Sequence, residues 1–463
     1  MPSAAHYDAI VIGAGQAGGP LAKDLAAAGR RTLLVEQDVV GGSCVNYGCT
    51  PTKTMIASAR VAHLARRGPD YGIATGELAV DLAKVRERKR GIVKLFRESN
   101  EKGYAKAENL DLTYGAAAFA DRHVIEIDPP DGPVHQAQAD LIFINTGARP
   151  VIPPIDGLDD AGHLDSTSIQ ELDRAPAHLA IIGGGYIALE FGQMFRRFGS
   201  RVTIIERNGR LIHHEDEDIS ETMTAILEED GIEVLCRSEV RKIAVGGKGG
   251  IHLAVQGPDS TSALDASHLL VAAGRRPNID SLNLEAAGIK TDTGGSIEVD
   301  ERLETNVAGV YALGDVKGGP AFTHISYDDY RVIRDNLLEG REASTARRIL
   351  TYTIFTDPQL GRVGLSEAEA RRRGLPIRVG KLPMSKAARA LEVDETRGFM
   401  KAVVHAETGE ILGASILGID AGEVAAVVQT AMMGGLSHTR IRDAVYAHPT
   451  LAESLNSLFA RLE

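Results

Sequence analysis

Apolar and polar positions along this chain fall into blocks that repeat. From Asp8 to Glu36, the segment DAIVIGAGQAGGPLAKDLAAAGRRTLLVE passes from an apolar run through a glycine-rich turn and a stretch of small residues to a second apolar run ending in an acid. From Leu179 to Glu206, LAIIGGGYIALEFGQMFRRFGSRVTIIE does the same. Short apolar runs closed by glycine predict buried strands, and the stretch between them predicts a helix, so each block reads as strand, turn, helix, strand. INTGARP around Thr146 and Gly147, and VAAGRRPN around Gly274, each follow an apolar strand and read as crossovers between domains. From about Leu350 the pattern changes to runs such as FMKAVVHAE and EILGASILGI, a separate α+β domain.

The glycines of each block have defined work. One makes a tight turn, one lets the backbone approach a pyrophosphate, and one packs helix on strand, while the helix N-terminus holds the phosphate charge. Gly13, Gly15 and Gly18 fill these places in the first block; Gly183, Gly185 and Ala188 fill them in the second, where Tyr186 and Ile187 open the helix. Glu36 and Glu206 end the second strands, where a carboxylate accepts hydrogen bonds from ribose hydroxyls. Arg207 stands beside Glu206 and offsets its repulsion of a 2'-phosphate, so NADH is favoured over NADPH without NADPH being excluded.

Length and charge narrow the class. A chain of 463 residues exceeds one ordinary hydrophobic core. A formal net charge of -12 with no basic stripe argues against nucleic acid or anionic membrane as partner, leaving small molecules. The first residues carry no basic region before their apolar run, and no apolar run reaches the roughly 18 residues of a membrane span, so a cytoplasmic protein is expected. The stretch from Thr54 to Tyr104 is expected to be helical, with its charges on a solvated face.

Three cysteines are too few for a disulfide scaffold. Cys236, in GIEVLC, is expected to be an inert core residue. Cys44 and Cys49 lie in GGSCVNYGCTPTK, directly after the first block. In a regular helix, residues five apart have Cα atoms about 8 to 9 Å from each other, and a disulfide needs about 4.4 to 6.8 Å. A bonded pair therefore requires irregular backbone, which Gly41, Gly42 and Gly48 permit. Pro51 fits the first turn of a following helix, whose positive end favours a thiolate. A zinc site would want two more closely spaced ligands, and none is evident, so no metal is expected. A redox-active pair and two unrelated buried thiols both remain open on spacing alone.

DAIVIGAGQAG, GGSCVNYGCTPTK, GGGYIALE, VYALGDV and YAHPTLAE together resemble the pyridine nucleotide-disulfide oxidoreductase family, along nearly the whole chain. The resemblance implies an α/β fold with two Rossmann-like dinucleotide-binding domains and a C-terminal α+β dimerisation domain. FAD would bind over residues 1–147 and 279–345, NAD(P) over 148–278, and the dimer would form through 346–463. It further implies that Cys44 exchanges with substrate while Cys49 faces the flavin, that Lys53 lies near the flavin and pairs with Glu190, and that Tyr186 covers the nicotinamide pocket. Asp315 would bind the ribityl chain, with Gly42, Ser43, Thr146 and Gly147 in the same FAD site. His448, oriented by Glu453, would be the base for thiol exchange, reaching the cysteines of the second subunit in a homodimer.

Within the family, TDPQLGRVGLSEAEA and ETRGFMKAV resemble mercuric reductases, but the chain keeps His448 and has no C-terminal cysteine pair. FTHISYDDYRVIRDNLL and HPTLAESLNSLF resemble the reactive-chlorine-resistance flavoproteins that reduce hypothiocyanous acid. Dihydrolipoamide dehydrogenase, which carries small residues where this chain has Tyr327 and Tyr330, is the alternative; a diaphorase or metal-reducing activity is a further one.

Overall fold

In the computed structural model, which describes residues 4–246 and 250–463, the first repeated block forms β1 (Ala5–Ile12), α1 (Gly18–Ala27) and β2 (Thr32–Glu36). β1 lies between β2 and the His135–Ile144 strand, parallel to both, with Leu110–Tyr114 and Val310–Ala312 extending the parallel sheet at either side. Ala9, Ile10 and Val11 are fully buried, as expected of strands covered on both faces. Gly13 has φ of +103°, and a Cβ there would come within 2.4 Å of the Asn145 carbonyl oxygen, so no other residue fits this turn.

The second block builds a parallel sheet in the order Glu233–Cys236, Arg201–Glu206, His178–Ile182, His268–Val271. The crossovers read at INTGARP and VAAGRRPN meet: Ala148–Pro150 pairs antiparallel with Arg275–Pro277. The C-terminal part folds into a five-stranded antiparallel sheet with the Ala421–Met433 helix packed on it. Its Ile354, Leu360 and Leu417 share one hydrophobic core with Phe191 and Phe195 of the Tyr186–Phe198 helix.

The cysteine segment forms α2 (Gly42–Asn46) and α3 (Cys49–Arg66). Met55 and Ala59 of α3 belong to that same core, so α3 is held against the Tyr186–Phe198 helix. That packing positions the candidate site at the meeting of all three parts of the chain.

Two expectations are refined. Thr54 to Tyr104 is helical in two pieces with mostly solvated charges, α3 ending at Arg66 and α4 running over Leu82–Ala105, but Lys89 is only 3% exposed, its ammonium paired with Glu171. Cys236 is half-buried and packs at the edge of the core, at the end of its strand opposite Glu206, and burial raises its pKa and keeps it a thiol.

Candidate active site

Cys44 sits in the middle of α2 and Cys49 is the first residue of α3. Between them, the N–H groups of Tyr47 and Gly48 both donate to the Ser43 carbonyl, and Gly48 takes φ of -114° and ψ of -112°, which breaks the helix. Gly41 and Gly42, with φ of +102° and +62°, turn the chain into α2. The break lets the two thiols interact directly. The Cys44 thiol donates to Cys49, which pulls the Cys49 pKa down to about 6 against the opposing effect of burial. The same hydrogen bond, with burial, pushes Cys44 well above the ordinary thiol range.

Two further groups favour the Cys49 thiolate. The Thr323 hydroxyl lies 3.2 Å from its sulfur, and the Lys53 ammonium adds an attractive charge. Thr323 begins the Thr323–Leu338 helix, so the N-termini of two long helices converge on one sulfur, where positive partial charge stabilises an anion. Lys53 Nζ donates to Glu190 Oε2 at 2.7 Å, and Glu190 Oε1 accepts from the Phe355 backbone N–H at 2.9 Å. Glu190, 3% exposed in its side chain, thus ties the cysteine helix, the second Rossmann-like unit and the C-terminal sheet at one point. Phe322, just before Thr323, stacks on Tyr352 at 5.0 Å and on His324 at 5.5 Å, and stands 5.8 Å from Tyr186. Burial raises the Tyr186 pKa to about 12, so its phenol stays neutral.

The first glycine turn is laced to the cysteine segment. Gly41 N–H donates to the Ala14 carbonyl at 2.9 Å, Gln16 Nε2 donates to the Gly41 carbonyl at 3.1 Å, and a Cβ on Gly42 would lie 2.8 Å from the Gly15 Cα. Ser43 is exposed beside it. Glu36 accepts from Ala14 N–H at 2.8 Å and Asp38 N–H at 3.0 Å, and burial raises its pKa. Thr146 Oγ1 donates to the Asn278 carbonyl at 2.7 Å, and Gly147, with φ of +71°, accepts from Asn278 N–H.

The second turn is built alike. Gly183 has φ of +113° and packs on the Ala272 carbonyl, Gly185 is the extended N-cap residue of the Tyr186–Phe198 helix, and Gly274 has φ of +127°. Ile187 is half-buried against the core, and Arg207 is exposed. Glu206, only 6% exposed, accepts from Gly184 N–H and from both the backbone and side-chain nitrogens of Asn208.

His448 and Glu453 form a dyad, Nδ1 lying 2.9 and 3.1 Å from the two carboxylate oxygens. With Nδ1–H donated to Glu453, Nε2 is left as the proton acceptor. The His448 side chain is 67% exposed, and within the single chain no hydrogen bond joins it to either cysteine among the described residues. Sequence reading passed over Thr323, Phe355 and Asn145. Thr323 lay inside FTHISYDDY, a segment used only for its resemblance, and Asn145 stood one place before the singled-out Thr146.

A family model described as pyridine nucleotide-disulphide oxidoreductase matches residues 7–329. The chain belongs to this family. The family's dimerisation-domain model matches residues 350–459. The chain is 39% identical to the probable pyridine nucleotide-disulfide oxidoreductase RclA of Escherichia coli, over 98% of this chain and 99% of that one. The solved structure of RclA, described as an HOCl-induced flavoprotein disulfide reductase, superposes with a TM-score of 0.88 at 38% identity, over 98% of this chain and 99% of that one. A mercuric reductase of Staphylococcus aureus is 35% identical, over 97% of this chain and 81% of that one, and a dihydrolipoyl dehydrogenase of Geobacillus stearothermophilus 32%, over 97% and 95%.

As a pyridine nucleotide-disulfide oxidoreductase, the chain is a flavoprotein disulfide reductase that works with FAD and NAD(P)H. Its own residues fit FAD in the first unit. The N–H groups of Gln16 and Ala17, at the start of α1, have no acceptor among the described residues, as a pyrophosphate cradle requires. The half-buried Asp315 carboxylate accepts no hydrogen bond among the described residues; burial raises its pKa, and Arg275 approaches it only to 4.0 Å. It is an acceptor waiting for hydroxyl donors. No helix among the described residues is long and apolar enough to cross a membrane.

Proposed function

We propose that this chain reduces a small oxidised sulfur compound, of the hypothiocyanous acid type, with the Cys44–Cys49 dithiol, in the cytoplasm and as a homodimer. In this reading FAD is bound over 1–147 and 279–345, NAD(P) over 148–278, and the dimer forms through 346–463. The observation that carries it is the placement of Cys44 and Cys49 across the helix break at Gly48, with Cys49 Sγ 3.2 Å from the Thr323 hydroxyl and beside the Lys53–Glu190 pair. When bound, FAD supplies the two-electron link between a pyridine nucleotide and the disulfide. Asp315, Glu36, Gly42, Ser43, Thr146 and Gly147 line its seat in the first unit, while Tyr186, Ile187, Glu206, Arg207 and Gly274 serve the pyridine nucleotide.

The chemistry of the thiols balances without a metal or further co-reactant. Cys44, losing its proton to the partner subunit's His448, attacks the sulfur of HO–SCN; a sulfur–sulfur bond forms, the sulfur–oxygen bond breaks, and the departing hydroxide takes a proton to become water. The Cys49 thiolate then attacks the Cys44 sulfur and expels thiocyanate, leaving the disulfide. The oxidant gains the two electrons that the dithiol loses. Retention of the His448–Glu453 dyad supports a proton-requiring substrate over a soft metal ion, whose two thiolate ligands need no imidazole relay.

Glu206 supports NADH, since a carboxylate accepts ribose hydroxyls and repels a 2'-phosphate, with Arg207 free to moderate that preference. Stopped-flow mixing of the NADH-reduced enzyme with hypothiocyanite, lipoamide, glutathione disulfide and mercuric ion tests the substrate. Fastest reoxidation by hypothiocyanite is expected. Fastest reoxidation by lipoamide would make the chain a dihydrolipoamide dehydrogenase instead.

A further inference from the structure

The two Rossmann-like units share a turn but differ at one buried position. Asn145 in the first and Ala272 in the second occupy the same place. Each donates its backbone N–H at 2.8 Å to the last residue of the neighbouring strand, Ile12 or Ile182, and each presents its carbonyl to the first glycine of its turn. Asn145 alone carries a polar side chain there, 7% exposed. Its Oδ1 accepts from the Gly18 N–H at 2.9 Å and its Nδ2 donates to the Leu313 carbonyl at 2.9 Å.

These two bonds join the parts of the first unit that grip neighbouring segments of a dinucleotide, its pyrophosphate and its ribityl chain. Gly18 opens α1, beneath the pyrophosphate cradle, and its N–H is one of the donors a helix start leaves unpaired, with no side-chain cap of its own. Leu313 precedes the turn that holds Asp315. The fit is close on three sides: a Cβ on Gly15, Gly18 or Gly314 would lie 2.9, 3.0 or 2.9 Å from the Asn145 amide. The Asp315 turn is braced from behind as well, where Gly314 N–H donates at 2.8 Å to the fully buried Asp329.

We propose that Asn145 is a positioning residue that makes the first unit hold its dinucleotide as a resident group, whereas Ala272 leaves the second unit free to exchange its own. The inference rests on the reading that FAD occupies the first unit. A ligand bound at both the α1 cradle and Asp315 leaves only when both contacts open, and Asn145 prevents them from opening independently. The second unit lacks this brace, as suits a co-substrate that must depart every turnover.

The test is FAD release from purified holoenzyme, followed by the fluorescence of freed flavin after dilution, for wild type, Asn145→Ala and the isosteric Asn145→Asp. Loss of two neutral hydrogen bonds corresponds to roughly tenfold to a hundredfold faster release in Asn145→Ala. Asn145→Asp keeps the acceptor for Gly18 but sets an oxygen against the Leu313 carbonyl, so it too releases FAD faster. The dissociation constant for NADH is expected to match wild type. Wild-type release rates in both variants would overturn the proposal. So would faster release accompanied by equally weakened NADH binding, the mark of a general loosening of the fold. Purified wild type carrying no flavin would instead refute the FAD reading itself.

Discussion

Replacing Thr323 with Val removes one hydroxyl from the Cys49 sulfur and little else, because the two side chains have nearly the same shape. Thr323 Oγ1 stands 3.2 Å from Cys49 Sγ and donates to it when Cys49 is ionised. A hydrogen bond to a charged group contributes about 1.5 kcal/mol, and one pKa unit corresponds to about 1.4 kcal/mol, so Thr323→Val raises the Cys49 pKa by about one. From about 6, the thiolate fraction at pH 7 then falls from about nine-tenths to about one-half. The assay is the pH dependence of iodoacetamide alkylation in the reduced enzyme, with modification at Cys49 separated from that at Cys44 by fragment mass spectrometry. The midpoint shifts upward in Thr323→Val and stays in place in Thr323→Ser, which keeps the hydroxyl. An unchanged or lowered midpoint in Thr323→Val refutes the reasoning. The same depressed pKa has a consequence for stability. Cys49 ionises more readily folded than at its unperturbed value of 9.0, so the stability from its thiolate is complete above about 9 and is lost as pH falls through about 6. The reduced enzyme shows this loss in thermal melts between those values, and the disulfide form does not.

The neighbouring charges move the same midpoint in opposite directions: Lys53→Met removes an attraction and raises it, while Glu190→Gln removes a repulsion and lowers it, both read by the same alkylation profile. His448→Ala is expected to slow reoxidation by thiol-type substrates at least a hundredfold and to leave flavin reduction by NADH unchanged, as general-base loss requires; stopped-flow traces of the two half-reactions check this. Arg362→Met leaves the Glu215 carboxylate, 2% exposed in its side chain, without its partner at 2.8 Å. Breaking such a buried pair costs about 3 to 5 kcal/mol, measurable by urea denaturation.

What the sequence determined by itself was local and covalent. Gly13 and Gly183 announce their turns because only glycine tolerates φ near +100° with a carbonyl oxygen where a Cβ would be. The spacing of Cys44 and Cys49 showed that they could pair only across broken helix, and Gly48 marks the break. Glu36 and Glu206 were legible as strand-ending acids because their place follows from the strand–turn–helix–strand order alone. The tertiary structure decided which distant residues meet. Lys53 and Glu190 are 137 positions apart, Asn145 and Gly18 are 127, and Cys49 and Thr323 are 274. Lys89 shows the same limit from the other side: a charge on a helix reads as solvated until a carboxylate from elsewhere, Glu171, closes over it. A residue's type records the backbone conformation it must adopt, but a hydrogen bond between remote segments depends on how packed helices and sheets bring them together. The chemistry of Cys49 belongs to that second kind: its place at the start of a helix was written in the chain, and its low pKa was set by Cys44, Thr323 and Lys53 brought around it.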